Sequence, residues 1–119
     1  MTKKIVALAG DGIGPEIMAA GLQVLAATAE KIGFDYQVEE KPFGGAGIDA
    51  VGHPLPADTL AAAKEADAIL LAAIGGPQYD QAPVRPEQGL LAIRRELELY
   101  ANIRPVKIFE TLAHLSPLK

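Results

Sequence analysis

The sequence predicts an α/β fold in which an open, largely parallel sheet is flanked by helices. Two apolar runs that end at glycines, Lys4–Ala9 and Ile69–Ile74, have the composition of strands buried on both faces. Helical patterns fill the space between them. Because strands that alternate with helices form parallel sheets through right-handed crossovers, we expect this architecture along the chain.

The first strand is followed by a predicted helix. Pro15 suits the first helical position, and Glu16 places a negative charge at the positive end of the helix dipole. Apolar residues recur as far as Gly33, a typical helix stop. The next segment, Phe34–Lys41, alternates apolar and polar side chains and predicts a half-exposed strand. Three glycines within residues 44–47 are expected to break it.

The remaining elements continue the alternation. The alanine-rich segment Pro56–Glu65 predicts a second helix, which leads into the strand at Ile69–Ile74. After a loop rich in proline and glutamine, a third helix is predicted at about Glu87–Tyr100. The segment Ile103–Phe109 is predicted to be one more strand.

Composition excludes several classes of protein. The 119 residues are 50% hydrophobic, carry 11 Lys and Arg against 15 Asp and Glu, and include no cysteine. One core-forming domain is expected, without a disulfide framework and without a nucleic-acid partner. No stretch approaches the roughly 20 apolar residues of a membrane span, and the N-terminal apolar run is too short for a signal peptide. We therefore expect a cytoplasmic protein with no membrane partner.

The glycine-rich segment Gly10–Gly14 lies between the first strand and the first helix. It is similar to a dinucleotide-binding fingerprint, but Pro15 stands where the last glycine is required. Two interpretations stay open, a phosphate-binding loop and a tight strand-to-helix turn, and the spacing favours the turn.

A second candidate site follows the apolar strand at Gly75, Gly76 and Pro77. Ligands in open α/β sheets bind beyond the carboxyl ends of strands, and glycines there let a cofactor approach the backbone. The alternative is a long solvent-exposed connection, since loops of this length are either functional or merely mobile.

The third predicted helix has two distinct faces. One carries an apolar pair between opposite charges, which is how one wall of a pocket for a small branched anion would look; its members are Glu87, Leu90, Leu91 and Arg94. The other face is expected to contact the core through Ile93, Leu97 and Tyr100. The alternative is a helix packed on both sides, with Arg94 in a surface ion pair.

Arg104 stands before Pro105 at the start of the last predicted strand, where its planar guanidinium could form the second half of a carboxylate clamp. His53 and His114 are expected to be turn and helix-surface residues, because no other metal-ligating side chains accompany them.

Together these motifs resemble the 3-isopropylmalate dehydrogenase branch of the isocitrate/isopropylmalate dehydrogenase family, along the whole chain. The motifs are Gly10-Asp-Gly-Ile-Gly-Pro-Glu16, Pro42-Phe-Gly-Gly-Ala46 with Ile48-Asp-Ala50, Gly75-Gly-Pro77, Arg85-Pro-Glu-Gln-Gly-Leu-Leu-Ala-Ile-Arg94 and Tyr100-Ala-Asn-Ile-Arg-Pro105. The resemblance implies NAD-dependent oxidative decarboxylation of (2R,3S)-3-isopropylmalate to 2-oxoisocaproate in leucine biosynthesis. A tartrate- or isocitrate-type relative is the nearest alternative.

The resemblance also implies roles for individual residues. Arg94 and Arg104 would hold the substrate carboxylates, and Leu90 and Leu91 would contact the isopropyl group. Glu87 would lie near the nicotinamide. The other NAD contacts implied are Ile13 near the adenosine and the loop that begins with Ile74, Gly75, Gly76 and Pro77.

In the family, the tyrosine and lysine that transfer protons and the aspartates that hold Mg²⁺ or Mn²⁺ come from later sequence and from a partner subunit. The resemblance therefore implies no catalytic residue and no metal ligand within these 119 residues. Residues 1–100 would be part of the NAD-binding first domain and residues 101–119 the start of a second domain in a homodimeric enzyme. A non-catalytic excised fragment or ligand-binding module is the alternative of a different class.

Overall fold

The computed structural model describes residues 1–117 and confirms an open, fully parallel sheet with flanking helices. The sheet has the order β2-β1-β3. The elements are β1 (Lys3–Gly10), α1 (Gly14–Ile32), β2 (Tyr36–Glu40), α2 (Gly45–Val51), α3 (Ala57–Glu65), β3 (Ala68–Ala73) and α4 (Pro86–Glu96), with 3₁₀ turns at Pro77–Tyr79 and Glu110–Leu115.

The central strand β1 supplies the middle of the core. Ile5 is paired with Val38 of β2 on one side and with Ala68 of β3 on the other. Since side chains alternate along a strand, Val6 and Leu8 point to one face of the sheet and Ile5 and Ala7 to the other. All four are buried, as the sequence predicts for this strand.

One hydrophobic cluster holds α3 and α4 against the Val6 and Leu8 face of the sheet. Its buried members are Val6, Leu8, Phe43, Leu55, Ala63 and Ile93. Thr59 of α3 is completely buried beside this cluster, and its hydroxyl donates to the carbonyl oxygen of Pro42 at 2.8 Å. Burial therefore costs this polar group no lost hydrogen bond, as interiors require.

The expectation that glycines 44–47 break regular structure is wrong, because helix α2 forms there. Gly44 makes the turn that precedes it, with φ 68° and ψ −130°, a conformation that side chains disfavour. The Asp11 carboxylate then accepts the N–H groups of Gly45 and Ala46, which have no partner inside the helix. A distant carboxylate thus supplies what local propensity lacks.

The expectation that Ile69–Ile74 is buried on both faces is also wrong. Strand β3 is half-buried, and Leu71 is 37% exposed. It lies at an edge of the sheet in the described part of the chain, so its outer side has no neighbour there. Val24 on the adjoining face of α1 is 67% exposed. In residues 1–117 no helix is both long and apolar enough to cross a membrane.

Two further expectations fail after α4. The helix ends at Glu96, so Tyr100 lies outside it and is 99% exposed instead of contacting the core. The segment Ile103–Phe109 forms no strand, because none of the described strands lies beside it and Pro105 has no amide hydrogen to donate.

Candidate functional site

The candidate site lies at the edge of the sheet where β1 and β3 both end. Their parallel register pairs Gly10 with Ala73, and the N–H of Asp11 donates to the Ala73 carbonyl oxygen at 2.8 Å. The turns that follow the two strands are therefore neighbours. This is the edge at which open α/β sheets bind their ligands.

The segment Gly10–Gly14 has the geometry of a tight strand-to-helix turn. Gly10 has φ 73°, and a Cβ atom there would overlap the carbonyl oxygen of Ala73. A Cβ atom on Gly14 would overlap the carbonyl oxygen of Ala9. Both glycines are thus required for close backbone packing, which is the turn interpretation of this segment.

Asp11 is a structural centre of the site that sequence reasoning missed. Its buried carboxylate accepts three backbone N–H groups, from Gly45 at 2.7 Å, Ala46 at 2.7 Å and Gly75 at 2.8 Å. It therefore joins the end of β1 to α2 and to the loop after β3. The available signal was an aspartate between two glycines at the carboxyl end of a buried strand.

Gly75 and Glu87, both predicted to contact NAD, are brought together. Gly75 has φ 94°, and a Cβ atom there would lie 3.1 Å from Oε1 of Glu87. Glu87 is exposed in the first turn of α4, where its negative charge is favourable. The site therefore has a carboxylate beside a stretch of backbone that carries no side chain.

The other residues predicted to contact NAD surround this turn less closely. Ile74 is half-buried, and its Cγ2 atom faces Gly44 and Gly10. Gly76 is extended, and exposed Pro77 begins the 3₁₀ turn. Ile13, 61% exposed, immediately precedes α1.

Helix α4 presents the predicted substrate-binding face. Because Glu87, Leu90, Leu91 and Arg94 all lie within this helix, their spacing puts them along one side of it. Leu90 is half-buried, Leu91 is 64% exposed and Arg94 is exposed. Ile93 is buried in the core and Leu97 packs against the core cluster, as predicted.

The two arginines are not joined in the same way. Arg104 lies outside α4 in an exposed extended segment, and neither it nor Arg94 forms an ion pair within residues 1–117. The described side chains therefore leave both guanidinium groups free of an internal carboxylate. The alternative of Arg94 as a surface ion-pair partner finds no partner in this part of the chain.

The histidines are not arranged as metal ligands. His53 Nδ1 lies 2.8 Å from the carbonyl oxygen of Leu55 and 3.2 Å from its amide nitrogen, so this ring is a turn residue. His114 is exposed in the last 3₁₀ turn. Across the described residues, no group of three His, Cys, Asp or Glu side chains could hold a metal ion.

A family profile described as isocitrate/isopropylmalate dehydrogenase matches residues 4–119. Among curated relatives, the 3-isopropylmalate dehydrogenase of Streptococcus mutans is 80% identical over 98% of this chain. Those of Streptococcus thermophilus and Lactococcus lactis are 79% and 66% identical over all of it. The chain spans about a third, 34%, of the length of each of these relatives.

Solved structures show the same fold. A β-decarboxylating dehydrogenase from Thermococcus kodakarensis superposes with a TM-score of 0.66 at 29% identity, over 84% of this chain and 28% of that one. The TT0538 protein from Thermus thermophilus gives a TM-score of 0.66 at 31% identity, over 91% of this chain and 20% of that one. Since the profile covers nearly every residue, the chain belongs to the isocitrate/isopropylmalate dehydrogenase family.

Proposed function

We propose that this chain supplies the first third of an NAD-dependent 3-isopropylmalate dehydrogenase. The complete enzyme would oxidise and decarboxylate (2R,3S)-3-isopropylmalate to 2-oxoisocaproate in leucine biosynthesis. The observation that carries this proposal is the 79–80% identity to relatives of that name, over the whole length of this chain or nearly so.

The substrate would lie along the exposed face of α4. Leu90 and Leu91 offer apolar surface for the isopropyl group, and Arg94 offers a guanidinium one turn further along the helix. Arg104 would bind the second carboxylate. Support comes from the absence of an internal ion pair at either arginine in residues 1–117, because an unpaired guanidinium can take a carboxylate in a bidentate geometry.

NAD would lie against the Gly75–Gly76 turn, with Glu87 beside the nicotinamide and Ile13 beside the adenosine. Bound there, NAD supplies the acceptor for the hydride of the substrate's hydroxyl carbon. The residues fit this group, because a Cβ atom at Gly75 would occupy space next to Glu87 that is open backbone here. These residues bind and orient, and they include no group suited to proton transfer.

The described residues do not fit a metal ion, since no cluster of potential ligands exists among them. The Mg²⁺ or Mn²⁺ that the family implies would be held by other parts of the enzyme. We also propose that residues 1–100 belong to the NAD-binding domain and 101–119 to a second domain. A homodimeric state and a cytoplasmic location complete the proposal.

A fusion enzyme tests the proposal directly. Residues 1–119 of this chain replace the corresponding third of the Streptococcus thermophilus relative, which is 79% identical to them. NADH formation is measured with 3-isopropylmalate, isocitrate and tartrate in the presence of Mn²⁺. A preference for 3-isopropylmalate supports the proposal. A preference for isocitrate or tartrate would establish the nearest alternative, and a folded fusion enzyme without turnover would favour a non-catalytic module.

A further inference from the structure

The segment that carries the predicted NAD contacts is attached to helix α2 at two points. At the first, the Asp11 carboxylate accepts N–H groups from Gly45 and Ala46 of α2 and from Gly75. At the second, the Tyr79 hydroxyl donates to Oδ2 of Asp49 at 3.0 Å. The Gly75–Gly76 turn lies between these two attachments along the chain.

The second attachment is closely packed. Tyr79 is only 9% exposed, although it follows an exposed proline and an exposed glutamine in the same 3₁₀ turn. Its ring covers Gly45, where an added Cβ atom would overlap the ring and the hydroxyl. Gly45 therefore gives the tyrosine its place on α2, and Asp49, one helical turn further on, accepts its proton.

The hydroxyl of Tyr79 is suited to holding a position and not to transferring a proton. Burial is the main cause that raises its pKa above the ordinary value of 10.0, followed by the hydrogen bond to Asp49 and the charge of Asp49. The phenol thus stays protonated near neutral pH and remains a donor to the carboxylate. It is engaged within the protein and does not face the Gly75 turn as a free acid.

We propose that Tyr79 and Asp49 are positioning residues that set the affinity for NAD by fixing the Gly75–Gly76 turn against Glu87. The inference rests on the proposed NAD site. Its physical basis is that a loop which is already ordered loses less conformational entropy when a ligand binds than a loop which must be ordered first. Asp11 fixes one end of the turn and the tyrosine fixes the other.

The experiment uses the fusion enzyme and four variants. Tyr79→Phe keeps the ring over Gly45 and removes only the donor. Asp49→Ala removes the acceptor and favours the helix, since alanine is the better helix former. Asp49→Asn retains an acceptor oxygen and is the conservative rescue. Tyr36→Phe, whose ring stacks on Phe34 of the loop before β2, is the matched control.

Affinity for NAD is measured by calorimetry without substrate. We expect Tyr79→Phe and Asp49→Ala each to raise the Kd for NAD about 5–10-fold, the effect of one lost hydrogen bond. The double variant should be no weaker than either single variant, because both remove the same bond. Asp49→Asn and Tyr36→Phe should stay close to the parent, and kcat at saturating NAD should be unchanged.

Hydrogen exchange gives a readout that is independent of NAD. The amides of Tyr79, Asp80 and Ala82 donate within this segment, to the carbonyl oxygens of Gly76, Pro77 and Tyr79. In Tyr79→Phe these three amides should exchange faster, while the amides of β1 should not.

Unchanged exchange with an unchanged Kd, or additive effects in the double variant, would overturn the inference. The two proposals fail separately. A fusion enzyme that binds NAD with this dependence on Tyr79 and Asp49, yet does not oxidise 3-isopropylmalate, would overturn only the proposed substrate.

Discussion

The carboxylate of Glu87 lies against the backbone of Gly75, so the first turn of α4 meets the turn that follows β3. Gly75 has φ 94°, a Cβ atom there would lie 3.1 Å from Oε1 of Glu87, and its N–H donates to Asp11 at 2.8 Å. Only glycine satisfies these conditions together, because L side chains disfavour this φ and a methyl group would press on the carboxylate. This relationship determines how close a cofactor can approach the carboxylate.

Gly75→Ala in the fusion enzyme is therefore expected to weaken NAD binding. Left-handed backbone costs an L residue roughly 1–2 kcal/mol, which corresponds to about a 10-fold rise in the Kd for NAD if the turn relaxes to escape the strain. Calorimetry measures the Kd. Gly12→Ala is the matched control, since Gly12 also has a positive φ of 56° but no atom within 4 Å of an added Cβ. Equal effects of both substitutions would show that strain alone, and not the approach to Glu87, is responsible.

Leu90→Ala should reduce the preference for the branched substrate. Removing the apolar contact with an isopropyl group is expected to lower the ratio of kcat/KM for 3-isopropylmalate to that for malate about 10-fold or more. The ratio is an internal control, because general damage to the enzyme lowers both values together. If the ratio remains at its parental value, Leu90 does not contact the branched group.

Arg94→Ala should weaken every malate-type substrate. A charge-assisted bond to a carboxylate is lost, so kcat/KM for 3-isopropylmalate and for malate should fall together, by about 10–100-fold. Arg95→Ala is the matched control, because Arg95 is the neighbouring exposed arginine and points to a different side of α4. An equal loss in both variants would point to the general charge of the helix and would exclude a specific role for Arg94.

The sequence predicts the elements that local pattern determines and misses those that depend on distant partners. Apolar runs and helix signals are sufficient for β1, α1 and α3. Helix α2 is stabilised by the carboxylate of Asp11, which the glycines around Gly45 do not indicate. The strand expected at Ile103–Phe109 has the right composition, but strands need a neighbour to pair with, and composition does not supply one.

The same distinction holds for the candidate site. The spacing on α4 was sufficient to place Leu90 and Arg94 on one side of the helix. The attachment of Tyr79 to Asp49 was not predictable, because it depends on how α2 and the loop after β3 pack together. Residues that contact ligand are recognised by motif, whereas the residues that hold them become evident only from tertiary contacts.

Asp67 should make stability depend on pH. Its carboxylate accepts Lys3 Nζ at 2.7 Å and the N–H of Lys4 at 2.9 Å, and these bonds, the Lys3 bond first, hold its pKa below the ordinary value of 3.8. A lowered pKa in the folded state stabilises the protein above 3.8, and that contribution is lost as the pH falls through the folded value.

Asp67→Asn should therefore lower the Tm of the fusion enzyme near neutral pH. The difference from the parent should shrink as the pH falls below 3.8, where the parental carboxylate itself becomes protonated. Calorimetric scans across this range measure both values. Glu65→Gln is the control, because the exposed pair of Glu65 with Lys4 is looser, at 3.6 Å, and should contribute little. A difference in Tm that is independent of pH would contradict the role of the ionised carboxylate.

Glu98 ends helix α4 in a conformation that suits glycine. It is the non-glycine residue with a positive φ, 54°, in the described part of the chain. Its N–H donates to the Arg95 carbonyl oxygen at 3.1 Å and the N–H of Leu99 to that of Arg94 at 2.9 Å, which is the bonding pattern of a Schellman cap.

Glu98→Gly should therefore stabilise the fusion enzyme. Relief of the left-handed strain exceeds the added freedom of glycine in the unfolded chain, for a net gain of up to ~1 kcal/mol and a rise in Tm of about 2 °C. Arg95→Gly, in the last turn of the same helix where φ is negative, should instead cost about 1 kcal/mol. Scanning calorimetry compares the three proteins. Because both substitutions remove a charged exposed side chain and add the same residue, opposite signs can come only from the backbone conformation at position 98, and a fall in Tm for Glu98→Gly would contradict this assignment.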